Sequence, residues 1–397
     1  MNLQKSLSTT LFFLVFITAG VMAQTPTQPM ELKIGAVVSI TGGASGLGAN
    51  SANAIKLLEE RLGKDASLPF KVKIITYDDA TDPTKAVNAV RRLIQEDAVH
   101  LVICCTTTPN SMAVLTTVAE AKVTNISMAL AASVIEPASE RRFTFKTATT
   151  DAQTVTRVVN DMVKRNFKRV AFMGLEDSFG EGGWIEFQKA TKARGLEVVA
   201  SERFARNDTN FTSQALRVRQ QNSDAVYFHA IPPSSALAQE ALRRAGYQGL
   251  VYQSGGSANQ AYLNVGKTGV EGTIVAVGPI QVYKQLPANH SMAPALNEFA
   301  KVFDERYGEG KADIFAGYGW DAVRMTIAAF TNLHRRNAIP ADLPAARLAL
   351  RDAVEALREY HGVSGVFTFS PDNHLGLDSR SMYLTNVKNG QFQLMAD

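Results

Sequence analysis

Between residues 71 and 111 the chain switches from an apolar run to an amphipathic one and back. Residues 71–77 are β-branched and apolar and stop at the paired acids Asp78 and Asp79, which predicts a strand ending there. Asp82 then stands where a helix wants its N-cap. Pro83 takes the first helical position, where the missing N–H is no loss. Ala86, Val90, Leu93 and Ile94 recur at helical spacing while Lys85, Arg91, Arg92 and Glu96 point elsewhere, so one face of this helix packs on a sheet. Residues 100–104 are nearly all apolar, the pattern of a parallel strand covered on both faces. They run into the polar stretch 106–111, and in open α/β sheets ligands bind in the crevice beyond such strand ends.

The same unit recurs along the chain. Residues 32–38 predict a first strand, 39–48 a glycine-rich loop and 49–62 a helix. A helix over 112–121, a strand over 124–127 and a loop over 128–133 follow, then a strand over 143–146 and the stretch TATTD, whose Asp151 can cap the next helix. Further strands are expected at 170–173, 196–200, 225–229, 250–253 and 273–277, with helices after 181 and over 236–245. Alternation of this kind implies right-handed βαβ crossovers and parallel sheets. The strands are too many for one compact sheet, and TATTD is where a second would start. The last third differs, with long amphipathic helices at 292–306, 314–333 and 343–360 and short strands around Phe367 and Met382.

Lys5 followed by the apolar run 11–21 and the small Ala23 predicts a secretory signal peptide over residues 1–23, cut between Ala23 and Gln24. The run is well short of the roughly 20 residues that span a bilayer. No cysteine follows the small residues, so a free protein in the periplasm is expected. Removing that segment takes away Lys5 and no acid, so the formal charge of +4 becomes +3. Such a balance calls for neither nucleic acid nor an anionic membrane. A chain of 397 residues exceeds what one core supports, so two lobes are expected.

Cys104 and Cys105 are the only cysteines. A bridge between neighbours needs a strained ring, so they are expected as small buried hydrophobes instead of a disulfide. The segment GLGANS offers Ser51 where a dinucleotide fingerprint wants its last glycine, and the glycines suit close approach of backbone amides to a small ligand. No nucleophile elbow, HExxH, CxxC or P-loop is present, and the six histidines lack metal-ligand spacing, so neither an enzyme nor a cofactor is expected.

KIGAVVSITGGASGLG, YDDATDPTKAVNAVRRLI, DAQTVTRVV, VAFMGLEDSFGEG, DAVYF and YGWDAV, in that order, resemble the leucine/isoleucine/valine-type periplasmic binding proteins of ABC transporters. The resemblance implies the type I periplasmic-binding fold: α/β, with two doubly wound parallel-sheet lobes joined by a three-crossover hinge. Lobe 1 would take residues 30–148 and 277–372, and lobe 2 residues 149–276 and 373–397. The ligand would lie in the cleft of a monomer that docks on a membrane permease.

Position by position, the resemblance places Ser45 and Leu47 in the first ligand loop and Thr108 at the ligand carboxylate, with Thr107 beside it on a hydroxyl-rich, anion-tolerant side. Ala129 and Leu130 fall near the backbone contacts that follow. Ala131 stands where such proteins offer a threonine, Phe179 replaces a tyrosine and Ile231 another aromatic. Asp151 is retained. Gly255 replaces the acid that would receive an ammonium. A desolvated ammonium without a carboxylate is expensive, so the expected ligand is a small carboxylate with an apolar or aromatic body, which His229 could also meet. A branched-chain or other amino acid is the alternative ligand, and a sensor for a membrane receptor the alternative role.

Overall fold

The computed structural model describes Met1 and residues 30–396. The leader expected over 1–23 falls, apart from Met1, outside the described residues. The first sheet is built from β1 (Glu31–Val38), β2 (Lys71–Asp78), β3 (Leu101–Cys104), β4 (Thr124–Ser127) and β5 (Thr144–Lys146), with α1 (Ser45–Leu62), α2 (Pro83–Gln95) and α3 (Thr108–Glu120) between them. The strand order is β2-β1-β3-β4-β5, and each pairing is parallel.

An all-parallel sheet needs cover on both faces, and the period of two along each strand supplies it. Ile34, Ala36 and Val38 of β1 join one core, with Leu101 and Ile103 of β3. Val37, Val102 and Cys104 turn to the opposite core, against Ala86, Val90 and Leu93 of α2 and Val114 and Val118 of α3.

After β5 the chain crosses to a second sheet. Its elements are α4 (Asp151–Lys164), β6 (Arg169–Leu175), α5 (Ser178–Ala193), β7 (Glu197–Phe204), α6 (Thr212–Gln220), β8 (Ala225–His229), α7 (Ser234–Arg244), β9 (Leu250–Gln253), α8 (Gln260–Gly266) and β10 (Ile274–Val277). The same alternation places Val170 and Phe172 of β6 against α4 and α5, and Ala171, Met173 and Leu175 on the other core, which also holds Val218 of α6 and Leu242 of α7.

The chain then returns through a 3-10 stretch to the first lobe with α9 (Ala293–Tyr307), α10 (Ile314–Arg335), α11 (Leu343–Glu355) and the small hairpin β11 (Tyr360–His361) and β12 (Val366–Phe367). Phe315, Ala316 and Phe330 of α10 pack in the core with Ala54 and Leu58 of α1. Arg347 of α11 donates to the carbonyls of Val99 (2.9 Å) and Ile94 (3.1 Å). A third crossing brings β13 (Tyr383–Lys388) and β14 (Gln391–Leu394) to the second sheet as antiparallel edge strands, giving the order β14-β13-β10-β9-β8-β6-β7. The structure has two α/β lobes with three crossings, as the sequence patterns and the resemblance implied. Among the described residues no helix is long and apolar enough to cross a membrane.

Several local expectations are corrected. α1 begins at Ser45 and α3 at Thr108, each four residues before the expected start, so both ligand loops end as first helical turns. Pro109 sits in the first turn of α3, where its fixed φ suits a helix. Thr150, not Asp151, caps α4, in a capping box with Gln153. α11 ends at Glu355, and Tyr360 belongs to a strand.

Cys104 and Cys105 are joined by a disulfide, against the expectation for adjacent cysteines. The peptide between them is cis, which brings the two Cα atoms to 3.0 Å. Both residues are wholly buried.

Candidate ligand-binding site

The two lobes meet along the carboxyl ends of their strands. A Cβ built on Gly43, in the loop after β1, would lie 3.5 Å from Arg206 Cδ in the loop after β7. One built on Gly46 would lie 3.2 Å from Ala261 Cβ of α8. The lobes are therefore closed on each other.

The first ligand loop is held by the acids that end β2. Asp78 Oδ1 accepts from the amides of Ile40 (3.0 Å) and Thr41 (3.2 Å), and Asp78 Oδ2 from the Thr41 hydroxyl (2.6 Å). The Ser39 hydroxyl donates to the buried Asp79 at 2.7 Å. Gly48 brings α1 down on this loop, since a Cβ there would stand 2.1 Å from the Ser39 carbonyl oxygen. Gly180 does the same in the second lobe, with the Leu175 carbonyl oxygen 1.8 Å from its would-be Cβ.

Between the lobes lies a cavity of about 20 Å³. Thr106, Thr107 and Thr108 form its polar wall, where β3 ends and α3 starts. Leu47, Leu130, Phe179, Ile231 and Phe315 form the apolar walls, and Arg206 closes the second-lobe side. The hydroxyls of Thr107 and Thr108 are buried without a hydrogen-bond partner, as is Arg206 Nη1. Arg206 Nη2 pairs with Asp177, and Asp177 caps α5 by accepting from the amides of Phe179 (2.9 Å) and Gly180 (3.1 Å). Among the described residues nine line the cavity, and none of these is an acid.

Of the residues singled out from sequence, Leu47, Thr107, Thr108, Leu130, Phe179 and Ile231 are brought together on this cavity. Gly255 faces the cleft without lining it, its would-be Cβ 3.9 Å from Leu130 Cδ2 of the other lobe. Ser45, Ala129 and Ala131 stand off the cavity wall. So does Asp151, whose Oδ1 accepts from the amides of Ala132 (2.9 Å) and Ala152 (3.0 Å) and thereby fixes the segment that carries Leu130. Burial holds the Asp151 carboxyl above its ordinary range, with the Lys146 ammonium pulling the other way.

His229 also lies off the wall. Its ring sits 4.2 Å from that of Phe179 and its Nδ1 pairs with the Tyr227 hydroxyl at 2.7 Å. Burial pushes His229 down to about 3, so it stays neutral at physiological pH and acts as a backing for Phe179.

Sequence inspection missed Thr106, Arg206 and Phe315. Thr106 continues the polar run and was legible from its neighbours. Arg206 follows β7, an edge strand that runs through the polar residues Ser201, Glu202 and Arg203, so the apolar pattern alone ends it too early. Phe315 lies in the first turn of α10, which Asp313 caps through the amide of Ala316 at 2.9 Å. Its spacing is that of an ordinary core residue. Among the described residues no cluster of His, Cys, Asp or Glu is placed to hold a metal ion.

The sequence model of the periplasmic binding protein family matches residues 31–391. The chain belongs to that family. It is 23% identical over 266 residues to a Leu/Ile/Val-binding protein of Rhizobium johnstonii, covering 65% of this chain and 71% of that one. It is also 23% identical over 233 residues to the Leu/Ile/Val-binding protein of Escherichia coli K12, covering 57% of this chain and 61% of that one. Among solved structures, an extracellular ligand-binding receptor from Rhodopseudomonas palustris superposes with a TM-score of 0.85 at 31% identity, covering 93% of this chain and 100% of that one. These relatives are binding proteins and not enzymes, in line with the lack of a catalytic motif.

Proposed function

We propose that the chain is an extracytoplasmic solute-binding protein that captures a small carboxylate with an apolar or aromatic body and delivers it to the permease of an ABC importer. The observation that carries this reading is the make-up of the cavity wall. Hydroxyls at Thr106, Thr107 and Thr108 face leucine, isoleucine and phenylalanine side chains, and no lining residue is an acid that could receive an ammonium. Burying an ammonium unpaired is costly, whereas a carboxylate finds hydroxyl donors at the start of α3.

Relatives named for leucine, isoleucine and valine bind carboxylate-bearing ligands, and the present site keeps a wall for that end while Gly255 leaves nothing for the amine. The cavity of about 20 Å³ is small for such a ligand, and on this reading the lobes part to load it. On this reading the moving bodies are residues 30–148 with 277–372 and residues 149–276 with 373–397, and the protein works as a monomer.

A thermal-shift screen of the chain from Gln24 onward, against amino acids, aliphatic acids, aromatic acids and small amides, tests the proposal. A ligand at a hundredfold excess over its Kd stabilises by about 2.7 kcal/mol, a readable shift. Carboxylates without an amine are expected to raise the transition. A screen in which only amino acids do so overturns the reading.

A further inference from the structure

Among the described residues Arg206 is the one cation on the cavity wall, and its Nη1 there has no partner. Its guanidinium is locked from one side: Nη2 pairs with Asp177, and Asp177 is itself fixed by the two amides it caps at the start of α5. That carboxylate shares its charge with the positive end of the helix, so the guanidinium is oriented without being used up. Its Nη1 is left buried and unpartnered. Across the cleft, the Thr107 and Thr108 hydroxyls are in the same condition, each on a residue at least nine-tenths buried. Buried polar atoms are ordinarily paired, so these unpaired atoms on one small cavity mark where a ligand group belongs.

The donor set selects the group. A guanidinium only donates, and a threonine hydroxyl can donate or accept, so the group between them must accept at least from the guanidinium and is best matched by one that carries negative charge. A carboxylate does this with two oxygens and also carries the charge that a guanidinium matches. A primary amide presents one oxygen and a donor nitrogen, and an ammonium has no acceptor.

Resting on the carboxylate reading above, we propose that Arg206 is the second lobe's contact for the ligand's carboxylate, which it bridges to Thr107 and Thr108 of the first lobe. The acid group then lies across the cleft and helps to draw the lobes together. Gly43 belongs to the same arrangement, because the Arg206 stem lies along it, with a would-be Cβ there 3.5 Å from Cδ.

The test is calorimetric titration of the chain from Gln24 onward with 4-methylpentanoate and benzoate and with their neutral amides, for the wild type, Arg206→Gln and Arg206→Lys. The acids are expected to bind the wild type and to lose roughly 10- to 100-fold in affinity with Arg206→Gln, the effect of removing one charge-assisted hydrogen bond. Arg206→Lys should fall between, and the amides should bind weakly and be indifferent to either change. Equal affinity of the acids for the wild type and Arg206→Gln overturns the assignment while leaving the carboxylate reading standing. An equal loss for acids and amides also overturns it, since the residue would then only shape the cavity. If neither acid binds the wild type, the carboxylate reading and this assignment fall together. Should Arg206→Gln fail to fold, Arg206→Met takes its place, and unchanged acid binding in that variant overturns the assignment.

Discussion

Lys146 and Asp151 grip the same short segment of cavity wall from its two ends. The Lys146 ammonium donates to the carbonyls of Leu130 (3.0 Å) and Ala131 (3.1 Å), while Asp151 accepts from the next amide, that of Ala132, at 2.9 Å. The Asp151 amide in turn donates to the Leu130 carbonyl at 3.0 Å. Leu130 reaches the cavity because this pair, at the first crossing between lobes, leaves its backbone no freedom.

Removing one member should therefore loosen both fold and site. Lys146→Met is expected to destabilise by about 1–3 kcal/mol, the scale for leaving the buried Leu130 and Ala131 carbonyls without their donor. Burial also holds Lys146 down to about 7. An unfolded lysine titrates near 10.4, so between these values the unfolded chain binds more protons and this group makes stability rise with pH from about 7 to 10. Urea denaturation at pH 7 and pH 9 checks both points. A loss below about 0.5 kcal/mol, within the range of ordinary surface changes, would show that the segment holds itself.

His229 acts in the same sense over a lower pH window. Burial keeps it neutral down to about 3, whereas an unfolded histidine takes its proton near 6.5, so its contribution is present above about 6.5 and is lost as pH falls from there. Asp313 and Asp321, pushed by burial to about 6, bind protons more readily when folded and work in the reverse sense between about 3.9 and 6. They are common to both proteins in a comparison of wild type with His229→Gln. The wild type's stability advantage should shrink as pH is lowered from 7 to 4. An advantage that stays constant would mean that His229 is protonated inside the fold.

Gly48 and Gly180 should tolerate no side chain. Gly48→Ala and Gly180→Ala each drive a methyl into a backbone carbonyl, and each is expected to cost at least the 1–3 kcal/mol or so of core overpacking. Gly272→Ala meets nothing within 4 Å and is strained only by its positive φ, so it should cost about 1 kcal/mol. Equal losses at all three sites in chemical denaturation would contradict the close approach of the helices to the strand ends.

The disulfide is checked with thiol reagents. Unfolded without reductant, the protein should show no titratable thiol, and after reduction it should show both cysteines. Two thiols before reduction would return Cys104 and Cys105 to the buried hydrophobes that the sequence suggested.

What the sequence made legible follows from which forces act locally. Runs such as 100–104 and 225–229 announced buried parallel strands, and Asp82 with Pro83 marked a helix start that the structure keeps within a residue. Leu47, Thr107, Thr108, Leu130, Phe179 and Ile231 came from the family resemblance, laid on the loops that follow such strands. Arg206 was hidden because an edge strand exposed to water carries Glu202 and Arg203 and loses the apolar signature. Phe315 was hidden by distance, since nothing in a helix start more than two hundred residues after Thr108 says which lobe face it will meet. The cysteine pair was hidden because the sequence does not say that the structure brings its two Cα atoms to 3.0 Å.

The most direct test is a paired calorimetric titration of leucine and of 4-methylpentanoate, which is leucine without its amine. A cavity with hydroxyls, one guanidinium and no lining acid should bind 4-methylpentanoate and reject leucine, because the ammonium would be desolvated without a partner. Tight binding of leucine with none of 4-methylpentanoate would contradict that, and would mean that an acceptor outside the present cavity wall swings in to meet the amine.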